Sequence, residues 1–204
     1  LNNTLETEIL TGEGNSYGAE FLVRKSTGKL TGWVGYTLSR TRRRIEGIND
    51  GEWYNANQDR RHDVSVVASW QVSPRWNLGG TWVFASGAPV TFPTGAYILG
   101  NNLAPLYGAR NSSRMPDYHR MDLSVTLEPK PKEEKKDRKR HFDNSWNFSV
   151  YNAYGRRNAF SFDFREEKTE VVLPNGEVEE ISERKAYKLY LFRWVPSITW
   201  NFSF

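Results

Sequence analysis

Along most of the chain, nonpolar and polar residues alternate with period two in stretches of about ten residues, parted by Gly, Pro, Asn and Ser. Period two puts alternate side chains on opposite faces of a strand, so the pattern predicts antiparallel β-structure. Seven segments stand out. In residues 16–25, Tyr17, Ala19, Phe21 and Val23 oppose Gly18, Glu20, Leu22 and Arg24, with Leu22 the one misfit. In residues 30–39, Leu30, Gly32, Val34, Tyr36 and Leu38 oppose Thr31, Trp33, Gly35, Thr37 and Ser39. Residues 62–72 carry Val64, Val66, Ala68, Trp70 and Val72 on one face, and residues 76–85 carry Trp76, Leu78, Gly80, Trp82 and Phe84. A fifth segment, 118–127, aligns Met121, Leu123, Val125 and Leu127. The sixth starts at Ser145 with Trp146, Phe148 and Val150, breaks at the turn-rich residues 152–158 and resumes near Phe160. The last runs from about Lys185 to Phe204, where Pro196 predicts a bulge or an unpaired position.

The links alternate in length. Tight turns are expected at Ser26-Thr27-Gly28-Lys29 and Ser73-Pro74-Arg75, whereas Arg40 to Arg61 and Ser86 to Asp117 are long, polar and rich in Gly, Asn and Arg. Short turns on one rim and long loops on the other are the habit of outer-membrane barrels. One link departs from this: Glu128 to Asp143 lies on the short-turn side yet holds 7 basic and 5 acidic residues, and reads as a solvated insertion. Val171 to Val178 reads as a hairpin around Asn175-Gly176 that extends the last long loop.

A soluble sandwich also alternates. Two features favour a membrane wall. Aromatics recur near segment ends on the nonpolar face (Tyr17, Tyr36, Trp70, Trp76, Phe84, Trp146), where amphipathic rings settle at head-group level. The opposite face is dominated by Thr, Ser, Asn and Gly, which suits a wet or plug-filled lumen. In hydrocarbon every backbone N–H and C=O needs a partner within the protein, so such strands belong to a closed ring. Seven is odd, while single-chain bacterial barrels generally use even numbers. Strands from a preceding segment are therefore expected to complete the ring, and the parity puts Leu1 to Asn15 in an outer loop. Splitting the sixth segment at Asn152 gives the alternative count of eight and a barrel that closes alone.

Composition adds mainly exclusions. Mean hydropathy is −0.70, and no nonpolar run approaches the roughly 20 residues that a membrane-crossing helix requires. The 8 Trp, 10 Tyr and 11 Phe in so polar a chain favour strands. With no Cys there is neither disulfide nor thiolate chemistry. The net charge of +4 is spread in mixed-sign clusters and not along one basic face, so nucleic acid is not an expected partner. The start at Leu1, without a leader, leads us to expect a longer precursor.

Candidate chemistry is sparse. His62, His119 and His141 are scattered with neither metal-ligand nor triad spacing, so no catalytic residue, metal site or cofactor is expected. Arg120 and Asp122 share the polar face and are positioned for an ion pair. Arg40, Arg42, Arg43 and Arg44 end the second segment, where cations meet either lipopolysaccharide phosphates or an anionic substrate. Trp53, Tyr54 and Asn55 in the same loop offer stacking surface for a sugar or a chelate, or packing against neighbouring loops.

Several phrases together carry a family resemblance. Tyr17-Gly18-Ala19-Glu20-Phe21 followed by Gly32-Trp33-Val34-Gly35-Tyr36-Thr37-Leu38-Ser39 resembles the late barrel strands of TonB-dependent outer-membrane receptors. So do Asp59-Arg60-Arg61-His62-Asp63, Ser86-Gly87-Ala88-Pro89-Val90-Thr91, Pro116 to Asp122 and Tyr151 to Asn158. The resemblance covers nearly all of residues 1–204 and implies the last seven or so strands of a barrel of about 22. Earlier strands, the plug and the TonB-engaging segment would lie elsewhere. It further implies a Gram-negative outer membrane, uptake of a scarce solute (siderophore, cobalamin, glycan or peptide) and coupling to the TonB complex through the plug. A surface lipoprotein is a possible additional partner. The ending Trp200, Phe202 and Phe204 looks like the signal read by the barrel-assembly machinery. A small autonomous outer-membrane barrel with a structural or adhesive role, and a barrel enzyme, remain as alternatives.

Overall fold

The computed structural model describes residues 10–99, 102–129, 143–172 and 178–203. Among them there is no α-helix, only a single 3-10 turn at Asn49–Gly51. Seven long strands form one antiparallel sheet: β1 (Gly12–Lys25), β2 (Leu30–Ile45), β4 (His62–Gln71), β5 (Trp76–Ala85), β10 (Tyr118–Leu127), β11 (Asp143–Tyr151) and β14 (Val195–Ser203). They lie side by side in chain order, and the short β3 (Tyr54–Asn55) pairs with the far end of β2. Three two-stranded ribbons stand apart from the sheet: β6 (Pro89–Val90) with β9 (Ser113–Arg114), β7 (Pro93–Leu99) with β8 (Asn102–Tyr107), and β12 (Ser161–Val172) with β13 (Val178–Leu189).

The register shows why alternation was so informative. Val23, Val34, Val66, Trp82 and Met121 are successive cross-strand partners, and so are Leu30, Trp70, Leu78, Val125, Phe148 and Ile198. Trp76, Leu127, Trp146 and Trp200 form a third such row. On the opposite face Thr31, Ser69, Gly79, Ser124, Ser149 and Ser197 line up, as do Gln71, Asn77, Thr126, Asn147 and Thr199. Ser69 Oγ donates to Asn77 Oδ1 at 3.0 Å, and Asn147 Nδ2 donates to Thr126 Oγ1 at 2.8 Å. Leu22, Trp33, Val67 and Val83 are nonpolar intrusions on this face.

Nothing among the described residues covers the nonpolar face. Val23 is 73% exposed, Ile198 66% and Phe21 61%, and even the mid-sheet Leu123 is 40% exposed. Tyr54, Ala56 and Pro89 are the only nonpolar side chains buried among the described residues, and all three belong to loops at one rim. Full burial of a large nonpolar side chain contributes about 1.5–3 kcal/mol, which this sheet forgoes at most such positions if water surrounds it. Among the described residues its edges are equally unsatisfied: β1 pairs only with β2, β14 only with β11, and no strand pairing joins β1 to β14. The sheet is open.

Several element boundaries differ from expectation. β1 begins at Gly12, so residues 12–15, expected in a loop, are strand. β2 continues through the arginines to Ile45. The resumption near Phe160 is β12, a ribbon strand separate from β11, so the main sheet keeps seven long strands. The expected last segment 185–204 is two elements, β13 and β14; the sequence pattern runs them together because both alternate and residues 190–194 between them contain neither Gly nor Pro. Pairing of β11 with β14 runs through Val150 and Pro196 without a register shift, so Pro196 marks no bulge; a proline is tolerated because β14 is an edge strand. The turn around Asn175-Gly176 and most of the charged insertion lie outside the described residues.

Close backbone approach fixes the β2–β4 pairing at Gly32, where a Cβ would fall 2.1 Å from the Val67 carbonyl oxygen. Gly32→Ala is expected to cost about 1–3 kcal/mol. Gly80→Ala, whose Cβ would meet only Leu123 Cδ2 at 3.6 Å, is expected to be nearly neutral. Equilibrium unfolding of the two variants checks this; equal losses would contradict the assigned register.

Candidate functional site

The long-loop rim is where the molecule concentrates its buried polar groups. Asp59, at the end of the β2–β4 loop, has a side chain with no exposed surface. A buried carboxylate is stable only with full pairing. Here one oxygen accepts from Thr41 N at 2.6 Å and the other from Arg114 Nη2. Arg114 also donates to the Gly87 carbonyl at 2.9 Å and to the Asp59 carbonyl at 3.3 Å. Ser86 Oγ donates to the His62 carbonyl at 3.0 Å and accepts from His62 N at 2.6 Å, while Arg60 Nη1 reaches the Ser86 carbonyl at 2.8 Å. Gly87 N donates to Asp117 Oδ1 at 2.9 Å, and a Cβ at Gly87 would sit 1.6 Å from the Met115 carbonyl oxygen. The 46–61 and 86–117 loops are thereby joined at their roots.

Asparagines repeat the device higher in the loops and at the neighbouring strand. Asn111, at φ 53°, donates through Nδ2 to the Asn55 carbonyl and to Asn57 Oδ1, both at 2.7 Å, and its N–H meets Thr91 Oγ1 at 2.8 Å. Asn152, at φ 55° and 1% exposed, donates to the carbonyls of Arg156 and Arg193 and receives Arg156 N at 3.2 Å. Its own N–H goes to Asp122 Oδ1 at 2.8 Å. Asn158 brackets the His119 backbone, and Arg156 Nη2 donates to the Asp117 carbonyl at 3.0 Å. Asn is the non-glycine residue best suited to left-handed backbone, because its short amide bonds locally.

On the polar face beside this lock, Arg120 pairs with Asp122 at 2.9 Å, donates to the hydroxyls of Tyr118 and Tyr151 and lies 4.1 Å from the Tyr151 ring centroid. The ion pair expected on that face is present. A cavity of about 210 Å³ opens beside it, lined by Tyr118, Tyr151, Asn152, Asn158, Phe160 and Phe192. Phe92, in the 86–117 loop, meets Phe162 and Phe164 of β12 edge-on at 5.3 and 5.9 Å, so this loop touches the β12–β13 ribbon.

The candidate residues divide between surfaces. Arg43 pairs with Tyr54, and Arg42 with Asn55, across β2 and β3. Tyr54 is buried, with Arg110 5.9 Å from its ring, and the Asn55 carbonyl is held by Asn111. Arg42 and Arg44 flank Trp53, with guanidinium carbons 5.6 and 5.4 Å from its ring centroid, and Arg44 pairs with Glu13 at 2.8 Å. Trp200 stacks on Trp146 at 5.8 Å and lies 4.7 Å from Phe202, at the short-turn rim; Phe204 lies outside the described residues.

His62 and His119 serve strand-end packing, their Nδ1 atoms bonded to Tyr36 and Tyr154 hydroxyls at 2.9 and 2.6 Å, and His141 lies outside the described residues. Among the described residues no group of three or more His, Asp or Glu side chains converges as a metal site would. Sequence reasoning singled out neither Arg114, Asn111 nor Asn152 as a pin. Asn in a polar loop was the available signal for the two asparagines; Arg114 carried none. Searches against family models, curated proteins and solved structures return no match to this chain.

Asp59→Ala strands Arg114, which is itself 31% exposed, so the expected loss is about 2–3 kcal/mol, below that of a wholly buried pair. Limited proteolysis should then cut first within the 46–61 and 86–117 loops, whereas cleavage confined to the β12–β13 ribbon would show that Asp59 does not hold them.

Proposed function

We propose that the chain is part of the wall of an outer-membrane β-barrel of the TonB-dependent receptor type, forming its C-terminal strands. One observation carries the reading: a nonpolar face continuous over seven strands, with neither a second sheet nor a helix among the described residues to cover it. Hydrocarbon is the solvent that such a face fits. The aromatic rows suit the two interfaces. In β5, Trp76 and Phe84 share the nonpolar face eight residues apart, about 26 Å along the strand. At a tilt of about 40° this gives roughly 20 Å of height between backbones, near the apolar band of about 25 Å once the rings are added. Edges on β1 and β14 that no other described strand pairs support a ring completed by other strands, to about 22 in all, over a small barrel closing on itself.

In this reading the long-loop rim faces outward. Of its residues, Arg42, Arg44, Trp53 and Asn55 lie on the side that meets lipopolysaccharide, Arg43 on the opposite side meets an incoming solute, and Tyr54 supports them from inside the loops. The polar face borders the plug, and the TonB complex acts through that plug. Trp200, Phe202 and Phe204 engage the barrel-assembly machinery. The process is transport without covalent chemistry, and the solute is a scarce one of the siderophore, cobalamin, glycan or peptide kind.

The chain contains no cysteine, so single substitutions report cleanly. Leu78→Cys and Phe148→Cys carrying a fluorophore should be quenched by nitroxide-bearing lipids in outer-membrane vesicles, and Thr81→Cys and Asn147→Cys should not. Equal quenching on both faces, or none on either, rules out the wall. Leu78→Arg is expected to cost about 2–4 kcal/mol of barrel stability, and Thr81→Arg much less, as read by the temperature at which the folded form loses its distinct gel mobility.

A further inference from the structure

We infer that Arg40, Arg42 and Arg44, with Trp53, form a docking strip for the bisphosphorylated head group of a lipid whose acyl chains lie on the nonpolar face below. The inference rests on the membrane-wall reading and gives one of its surfaces a ligand.

Its first support is register. Pairing of β1 with β2 runs from Gly12 and Ile45 to Lys25 and Gly32 without a shift, so alternation holds along the whole of β2. Arg40, Arg42 and Arg44 therefore continue the face of Leu30, Val34, Tyr36 and Leu38, and Arg43 belongs to the opposite one. Between Leu38 and Arg40 the same face turns from nonpolar to cationic in one step, with Tyr17 opposite Arg40 at the boundary. A tail-and-anion amphiphile has that order of chemistry.

The second support is unanswered charge. Opposite the three arginines stand Tyr17, Asn15 and Glu13, and only Glu13 is acidic; its pairing with Arg44 leaves a surplus of two positive charges on the strip. The Nε atoms of Arg40 and Arg42 are shut from solvent without an acceptor, and so is Asn15 Oδ1 without a donor. Neither guanidinium of Arg40 or Arg42 has a hydrogen-bond or ion-pair partner among the described residues. Arg42 and Arg44 share the Trp53 indole, which keeps both oriented, but Glu13 answers only Arg44, so the charge of Arg42 stays open to a further anion. Phosphate oxygens match the guanidinium fork.

Spacing selects the head group. Alternate residues on a strand are about 6.6 Å apart, so the three arginines span roughly 13 Å. One orthophosphate cannot bridge that distance, whereas two phosphates on a disaccharide head can.

The test uses the intact protein extracted from its membrane and native mass spectrometry of retained lipid. Hexa-acyl bisphosphoryl lipid A should bind about tenfold better than its fully dephosphorylated form. The triple variant Arg40→Gln/Arg42→Gln/Arg44→Gln should lose that preference, and Arg43→Gln should keep it. Equal retention of the two lipids by the unaltered protein overturns the inference, and does so even if the triple variant fails to fold. Equal loss in Arg43→Gln also overturns it, as does full competition by inorganic pyrophosphate, which would mark a site for soluble anions. Failure of the wall reading is seen separately: Val34→Cys would escape quenching by lipid nitroxides. Quenching at Val34→Cys together with no phosphate preference sinks the docking strip alone.

Discussion

A β-sheet must satisfy three demands at once: partners for its edge amides, cover for its nonpolar face and solvent for its polar one. Here the chain's own described residues meet only the third. Each interior strand is bonded on both sides, but the nonpolar rows that cross the sheet from β1 to β14 meet no second layer. Everything distinctive follows from this. The residues that elsewhere would build a core are spent on a surface, and burial moves to the loops at one rim.

That relocation explains why the rim is held by polar groups. Loops standing clear of a sheet have little nonpolar area to bury, so Tyr54, Ala56 and Pro89 are nearly all they can hide. Directional bonds take over: the Asp59–Arg114 pair, the Ser86–His62 exchange, and the amides of Asn111 and Asn152 each link segments far apart in sequence. Such pins fix geometry more than they add stability, because desolvation offsets much of their attraction. A loop set held in this way presents a shaped outer surface without a packed core beneath it.

The sheet was legible because alternation is local. Rows such as Val66–Trp82–Met121 need only a correct phase within each strand and short turns between them. The upper ends of β1 and β2 were less legible: polar Glu13, Asn15, Arg40 and Arg42 continue the strands but break the nonpolar rhythm that announces them. β13 and β14 merged into one segment because both alternate and no strong turn residue parts them. At the rim, Asp59 and Arg114 lie 55 positions apart, and no local pattern connects them. Trp53, Tyr54 and Asn55 formed one candidate group in sequence. In space Trp53 goes to the arginine strip and Tyr54 to the interior of the loops, since neighbouring residues on an extended segment point opposite ways.

The ribbons in the loops also bear on how the last strand reaches its place. Bringing β14 to β11 means closing residues 152–194, an entropic cost that grows with the logarithm of loop length. Once β12 and β13 have zipped together, Ser161 and Leu189 are neighbours, and only the flanking residues 152–160 and 190–194 remain slack. The effective loop falls from roughly 43 to 14 residues, which lowers the closure term by about 1 kcal/mol. The β7–β8 ribbon shortens the path from β5 to β10 in the same manner. These excursions thus act as folded tucks in the chain, letting distant strands find one another as though the loops between them were short.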